Sequence, residues 1–130
     1  MKGDSKKLLV AVAVIIIVIL SGFFIKLYLD SSTEKFINQI TELENSINND
    51  DWDKSNNLIS RLNADWEKAE NIWTIFTNHH EIDNISITIK SAMVYIKQRD
   101  KKDSLASIAS LRHYITHIPE MERVVIKNIF

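Results

Sequence analysis

The chain opens with an unbroken apolar block and then changes rhythm. Residues 8–25 read LLVAVAVIIIVILSGFFI, with Ser21 the only polar side chain. About 18 or more such residues suffice to cross the hydrocarbon core as a helix. Lys26 and Tyr28 follow. They suit an interface, where a lysine stem snorkels and a phenol ring is favoured. A transmembrane anchor is therefore expected over residues 8–29. A buried core helix is the competing reading, but a core this small cannot cover a helix that is apolar all round. A cleaved signal peptide needs small residues at two positions separated by one. Ile19 and Leu20 stand where the partners of Ser21 and Gly22 would be, so retention of the segment is expected.

Past the block, apolar residues recur at helical spacing. Ser31, Ser32 and Thr33 offer caps with Glu34 in the first turn, and Phe36, Ile40, Leu43 and Ile47 form the first stripe. NNDD interrupts it, and Asp50 or Asp51 can cap the next helix. That helix carries Trp52, Ile59, Leu62, Trp66, Ala69, Trp73 and Phe76, and TNHH closes it. A third stripe is Ile82, Ile85, Ile89, Ala92 and Ile96. RDKKD is the second break, with Asp103 as the expected cap, and Leu105, Ile108, Leu111, Ile115 and Ile118 make the fourth stripe. Pro119 is expected to stop that helix and to start a short last one, with Val124, Val125, Ile129 and Phe130 as an apolar tail.

The second pair of stripes repeats the first at an offset of about 49 residues: Phe36 falls on Ile85, Asp51 on Asp100 and Trp66 on Ile115. The repeat is one of apolar register rather than residue identity. Each hairpin has one apolar face, so the two must cover each other. The expected fold is all-α: an N-terminal transmembrane helix, then a four-helix bundle built from two helical hairpins, with a short C-terminal helix. A stack of two hairpins of the repeat-protein kind is the open alternative.

Composition narrows the function classes. There are only 2 Gly and 1 Pro, which argues against hairpin sheets and phosphate-cradling loops. There is no Cys, hence no disulfide, thiolate ligand, thiol nucleophile or lipoprotein anchor. With 16 basic against 17 acidic residues, nucleic acid is not an expected partner. Lys2, Lys6 and Lys7 precede the apolar block against Asp4 alone, while Lys26 and Lys35 beyond it are offset by Asp30 and Glu34. The positive-inside rule then makes residues 1–7 cytoplasmic and residues 30–130 an extracytoplasmic domain.

The densest chemistry is NHHEID, Asn78 to Asp83. Helix two is longer than helix one, so its end, with Trp73 and Phe76, is expected to return close to the membrane surface. HIPEMER, His117 to Arg123, falls at the same end. A metal site is one reading: His113 and His117 are spaced i, i+4, and His79 or His80 with a carboxylate such as Glu81 or Asp83 could complete the ligand set. Catalysis is a second, but no nucleophile stands with a base and an orienter. The third, which the residues favour, is a structural polar cluster of His79, Asp83, His117 and Glu120 that fixes hairpin packing. Of the aromatics, Trp66, Trp73 and Phe76 are expected in the core, and Trp52 partly exposed at the far turn.

The apolar N-terminal span, the Trp-rich second helix, NHHEID, HIPE and the terminal NIF together resemble a family of small Gram-positive bacterial proteins catalogued as a domain of unknown function. The resemblance covers nearly the whole chain. It rests on Trp66, Asn78, His79, Glu81, Ile82, Asp83, His117, Pro119, Glu120 and Asn128 to Phe130, with His79 rather than His80 the matching histidine. It implies an integral membrane partner and no enzymatic activity. The expectation is thus a non-enzymatic, single-pass cell-membrane protein, anchored in the lipid bilayer through residues 8–29, whose helical domain is an interaction or accessory subunit for an integral membrane partner, with homo-oligomerisation left open. No cofactor is expected. The alternative is an extracytoplasmic sensor or binding module that takes a small ligand or metal near His79, Asp83 and His117.

Overall fold

A computed structural model describes the backbone of residues 2–129 and the side chains of residues 2–118. Four helices follow one another: α1 (Lys2–Asn48), α2 (Trp52–Phe76), α3 (His79–Lys97) and α4 (Lys101–Ile129). No strand occurs among the described residues. The chain divides into two compact units, Met1–Ser32 and Thr33–Phe130.

The first unit is the apolar part of α1. It is one helix long and apolar enough to cross a membrane, and the chain buries none of its apolar window. Leu8, Val14, Ile17, Ile19 and Phe24 are all more than half exposed. Ser21 donates its hydroxyl to the Ile17 carbonyl at 2.7 Å, the i−4 back-bond that Thr41 and Thr116 also make. Ser31 to Thr33 lie within α1 instead of capping a new helix, because the residues before them are already helical and leave no free N–H groups to cap.

The second unit is a closed bundle of the last turns of α1 with α2, α3 and α4. Phe36, Ile40, Leu43 and Ile47 of α1 are buried, as are Ile59, Leu62, Trp66, Ala69 and Trp73 of α2. Ile82, Ile85, Ile89, Ala92 and Ile96 of α3 and Ile108, Leu111, Ile115 and Ile118 of α4 are buried as well. Every adjacent edge is joined. Gln39 and Lys35 of α1 reach Asp65 of α2 at 2.7 and 3.5 Å. Lys90 of α3 reaches Glu67 of α2 at 3.4 Å. Helix α3 packs along α4. Arg112 of α4 donates to Glu44 of α1 at 2.6 Å and to Thr41 at 3.1 Å. Four edges make a ring, so the compact bundle, not a stack of hairpins, is the architecture.

The repeat holds at the level of single hydrogen bonds. Asp50 N–H donates to Ile47 O and Asp51 N–H to Ser46 O at 3.0 and 2.9 Å. In the second hairpin Arg99 N–H donates to Ile96 O and Asp100 N–H to Tyr95 O at the same two distances. Asp50 and Arg99 both have φ of 56°. This is a Schellman ending with a left-handed residue. In each case the next residue caps the following helix, Asp51 accepting from Lys54 N–H at 3.2 Å and Asp100 from Asp103 N–H at 3.0 Å. The second cap is therefore Asp100 and not Asp103, since an N-cap oxygen must reach the amide three residues on.

Three expectations shift at the ends. Phe76 is half-buried, not core: it is the last residue of α2, beyond the turn where Trp73 fills the interior. The aromatic core is instead Phe36, Trp66 and Trp73, edge to face at centroid distances of 5.5–6.2 Å. Leu105 is half-buried while Ser104 is fully buried. Pro119 does not end α4, which continues as one helix to Ile129 in place of a separate short helix. Proline removes one N–H and crowds one carbonyl, and the ladder resumes in the residues after it. The side chains of Glu120 and of the apolar tail Val124, Val125, Ile129 and Phe130 lie outside the described residues.

Candidate functional site

NHHEID is the start of α3. Asn78 has extended backbone and its side chain accepts from Glu81 N–H at 3.0 Å, so it is an N-cap. His79, His80 and Asp83 are exposed on the first turns and Glu81 is half-buried. Ile82 alone of the stretch enters the core. The expected cluster of His79, Asp83 and His117 does not close: among the described residues no hydrogen bond joins them. The reason is local. The cap is made by Asn78, which frees the histidines from any bonding role, and the stripe that turns Ile82 and Ile85 inward leaves positions 79 and 83 outward.

His113 and His117 do come together, on one face of α4. Their rings lie nearly parallel, 13° apart, with centroids at 5.7 Å, and His113 also meets Tyr114 edge-on at 6.0 Å. The two imidazole rings pack face on face. Ligation would need both ring nitrogens to converge on one point. Among the described residues no three His, Asp or Glu side chains gather as a metal site.

The polar chemistry that the fold does assemble lies between helices. Trp66 Nε1 donates to Ser86 Oγ at 2.8 Å, and Ser86 donates to Glu70 at 3.2 Å. The buried indole is thus led out to a surface carboxylate. Asp65 accepts from Gln39, and that hydrogen bond, with the Lys35 charge beside it, holds its carboxyl below the usual carboxylate range against the opposing effect of burial. At the turn end, Ser46 and Ser55 share a hydrogen bond at 2.7 Å while Ser55 also donates to Asp51 O. Ser104, the matching position of the second hairpin, is fully buried with no hydrogen-bond partner for Oγ. Lys101 Nζ sits at the end of α1, 3.1 Å from Asn48 O and 3.2 Å from Asp50, where a cation also meets the negative end of the helix dipole.

The apolar spacing did not bring out the buried serines or the hydroxyl-lined surface between α3 and α4. Reading the two halves against each other, position by position, would have found both.

These features define a class: an all-helical protein in which one long, exposed, apolar helix runs ahead of a closed four-helix bundle. The chain belongs to the family described as Domain of unknown function (DUF4363), whose model matches residues 23–129. No curated protein and no solved structure matches it.

Proposed function

We propose that the protein is a non-enzymatic accessory subunit held in the cell membrane by residues 8–29, with its N-terminus cytoplasmic and its bundle on the outer side. The observation that carries this reading is that the chain buries none of the apolar window of α1. Burying that much apolar surface is worth tens of kcal/mol at about 25 cal/mol per Å², and a bilayer supplies the burial. The charge asymmetry of Lys2, Lys6 and Lys7 against Asp4 sets the orientation. The bundle interior is filled by Ile, Leu and Trp side chains, which suits a scaffold that presents a surface to an integral membrane partner.

The chain has no Cys, so single introduced cysteines report topology cleanly. Asp53→Cys should react with a membrane-impermeant maleimide in intact cells, and Ser5→Cys only after lysis. The reverse pattern would overturn the orientation. A purified chain that starts beyond residue 22 would overturn the anchor. For the partner, the full chain is crosslinked in cells and purified from membranes. A reproducible, near-stoichiometric integral membrane protein is expected, and recovery of self-crosslinks only would replace the accessory reading with homo-oligomerisation.

A further inference from the structure

The two hairpins share a backbone, yet their outward grooves are finished in opposite ways. Between α1 and α2 the groove is closed by long side chains: Gln39 bridges to Asp65 at 2.7 Å, with Lys35 beside them. The matching positions between α3 and α4 are Thr88 and Tyr114, and where α2 has Leu58 and Arg61, α4 has Ser107 and Ser110. The result is an open groove of about 280 Å³. Tyr95 and Asp103 lie at its turn end and Tyr114 and Thr88 at the other. From Asp103 to Tyr114 along α4 is roughly 16 Å at 1.5 Å per residue.

The lining selects a ligand class. It holds three serines, one threonine, two half-buried tyrosines and a single charge, Asp103. No basic side chain lines it, so an anion would meet repulsion without compensation. Among the described residues the hydroxyls of Ser91, Ser107, Ser110, Tyr95 and Tyr114 have no protein partner. Only Thr88 turns back, to Asn84 O at 2.6 Å. The unpartnered hydroxyls are donors and acceptors at once, and one tyrosine stands at each end of the groove, Tyr95 and Tyr114. Polyhydroxylated rings, with polar rims and apolar C–H faces, match that arrangement, because a tyrosine offers an apolar face and a polar tip together.

We propose that the α3–α4 groove is a carbohydrate-binding site for a short neutral oligosaccharide. The sugar lies along the groove with rings against Tyr95 and Tyr114, and its hydroxyls bond Ser91, Ser107 and Ser110. Asp103 accepts from two neighbouring sugar hydroxyls. The proposal rests on the groove alone and stands whether or not a membrane partner is found.

The test uses the full chain in lipid nanodiscs, because glycoside detergents would compete. Chitotriose, cellotriose and maltotriose are titrated with saturation-transfer NMR as the readout, and spermidine serves as the charged control. At least one trisaccharide should bind saturably. Ser110→Arg installs the first hairpin's residue at an exposed position and should weaken that binding about tenfold or more. Tyr114→Ala should weaken it as well, while Arg61→Ser in the other groove leaves it unchanged. Thermal unfolding of each variant separates lost binding from lost fold. The proposal is overturned if none of the three sugars binds, if Ser110→Arg binds like the parent chain, or if spermidine displaces the sugar.

Discussion

The first hairpin of the bundle is aromatic inside and bridged outside, and the second is aliphatic inside and open outside. Phe36 and Trp66 occupy the positions that Ile85 and Ile115 occupy in the repeat, and all four are buried to within 2%. The same three-residue turn geometry closes both hairpins. What the pair teaches is a division of labour within one chain. The turn, its cap and the stripe spacing determine the backbone, so two quite different sets of side chains reach one geometry. Residues outside that set are free to differ, and they differ most where α2 carries Leu58, Arg61 and Asp65 and α4 carries Ser107, Ser110 and Tyr114.

The comparison breaks most readily at Trp66. This indole packs edge to face against Phe36 and Trp73 and hands its N–H to Ser86. Trp66→Ala should cost about 3–5 kcal/mol, the range for an aromatic removed from a packed interior. It also strips Ser86 of its indole partner. Trp66→Phe should recover most of the packing and leave a deficit of about 1 kcal/mol for the hydrogen bond. Chemical denaturation of the full chain followed by near-UV circular dichroism measures both. A loss under about 1 kcal/mol for the alanine variant would mean that the aromatic cluster is not the centre of the first hairpin.

Next in size is a contrast of sign at one repeat position. Ser55 bonds both Ser46 and the Asp51 carbonyl, whereas Ser104 is buried without a partner. Ser55→Ala should destabilise by about 1–2 kcal/mol, since it leaves the buried Ser46 hydroxyl short of one bond. Ser104→Ala removes a buried hydroxyl that has nothing to bond and should be neutral or stabilising by up to about 1 kcal/mol. Equal losses in the two variants would show that Ser104 finds a partner in solution, an ordered water being the obvious one.

Ser104 also marks how far spacing can be read from sequence. Stripes of Ile and Leu gave the four helices, the two hairpins and the positions that face inward, because burial of those side chains dominates the energetics. Hydrophobicity places Leu105 in the fourth stripe, yet it lies about 100° round from Ser104, which is closer to the centre of Ile108, Leu111 and Ile115. Angle decided the inward position and composition did not. NHHEID failed differently. Its residue types suggested a cluster, but at a helix start the backbone amides compete for each acceptor, and Asn78 alone meets that need. Pro119 within α4 and Phe76 at the end of α2 depart from the spacing because the ends of elements depend on what packs against them, which local sequence does not contain.

A subtler break uses pH. Gln39 donates to Asp65 in the first hairpin, and the matching pair in the second, Thr88 and Tyr114, has no carboxylate. Asp65 is held below its unfolded value of about 3.9. A depressed carboxylate contributes stability that is complete above the unfolded pKa and lost as pH falls through the folded one. Gln39→Ala should therefore cost about 1 kcal/mol at pH 7. The deficit should shrink below about pH 4 and vanish once Asp65 is protonated in the native state. Thr88→Ala should show no such dependence. Stability curves of both variants against pH, with the Asp65 carboxyl followed by NMR, check the sign. A Gln39→Ala deficit that grows on acidification would contradict the assigned cause.

The smallest expected effect separates the two turns that otherwise look alike. Asp50 and Arg99 hold the same left-handed conformation at φ 56°. That conformation costs an L-residue about 1–2 kcal/mol, and glycine avoids it at an entropic cost of about 0.5–1 kcal/mol. Arg99→Gly should therefore stabilise by roughly 0.5–1 kcal/mol. Asp50→Gly should gain less. Aspartate tolerates the left-handed region better than arginine does, and the substitution gives up the exposed ion pair with Lys101 at 3.2 Å, worth a few tenths of a kcal/mol at this exposure. The two variants in one background, compared by thermal unfolding at low and high salt, isolate the ion pair: the gap between them should narrow as salt screens Lys101 from Asp50. If the gap does not change with salt, the difference between the turns is one of backbone preference, and the Lys101 contact contributes nothing to the closure of the first hairpin.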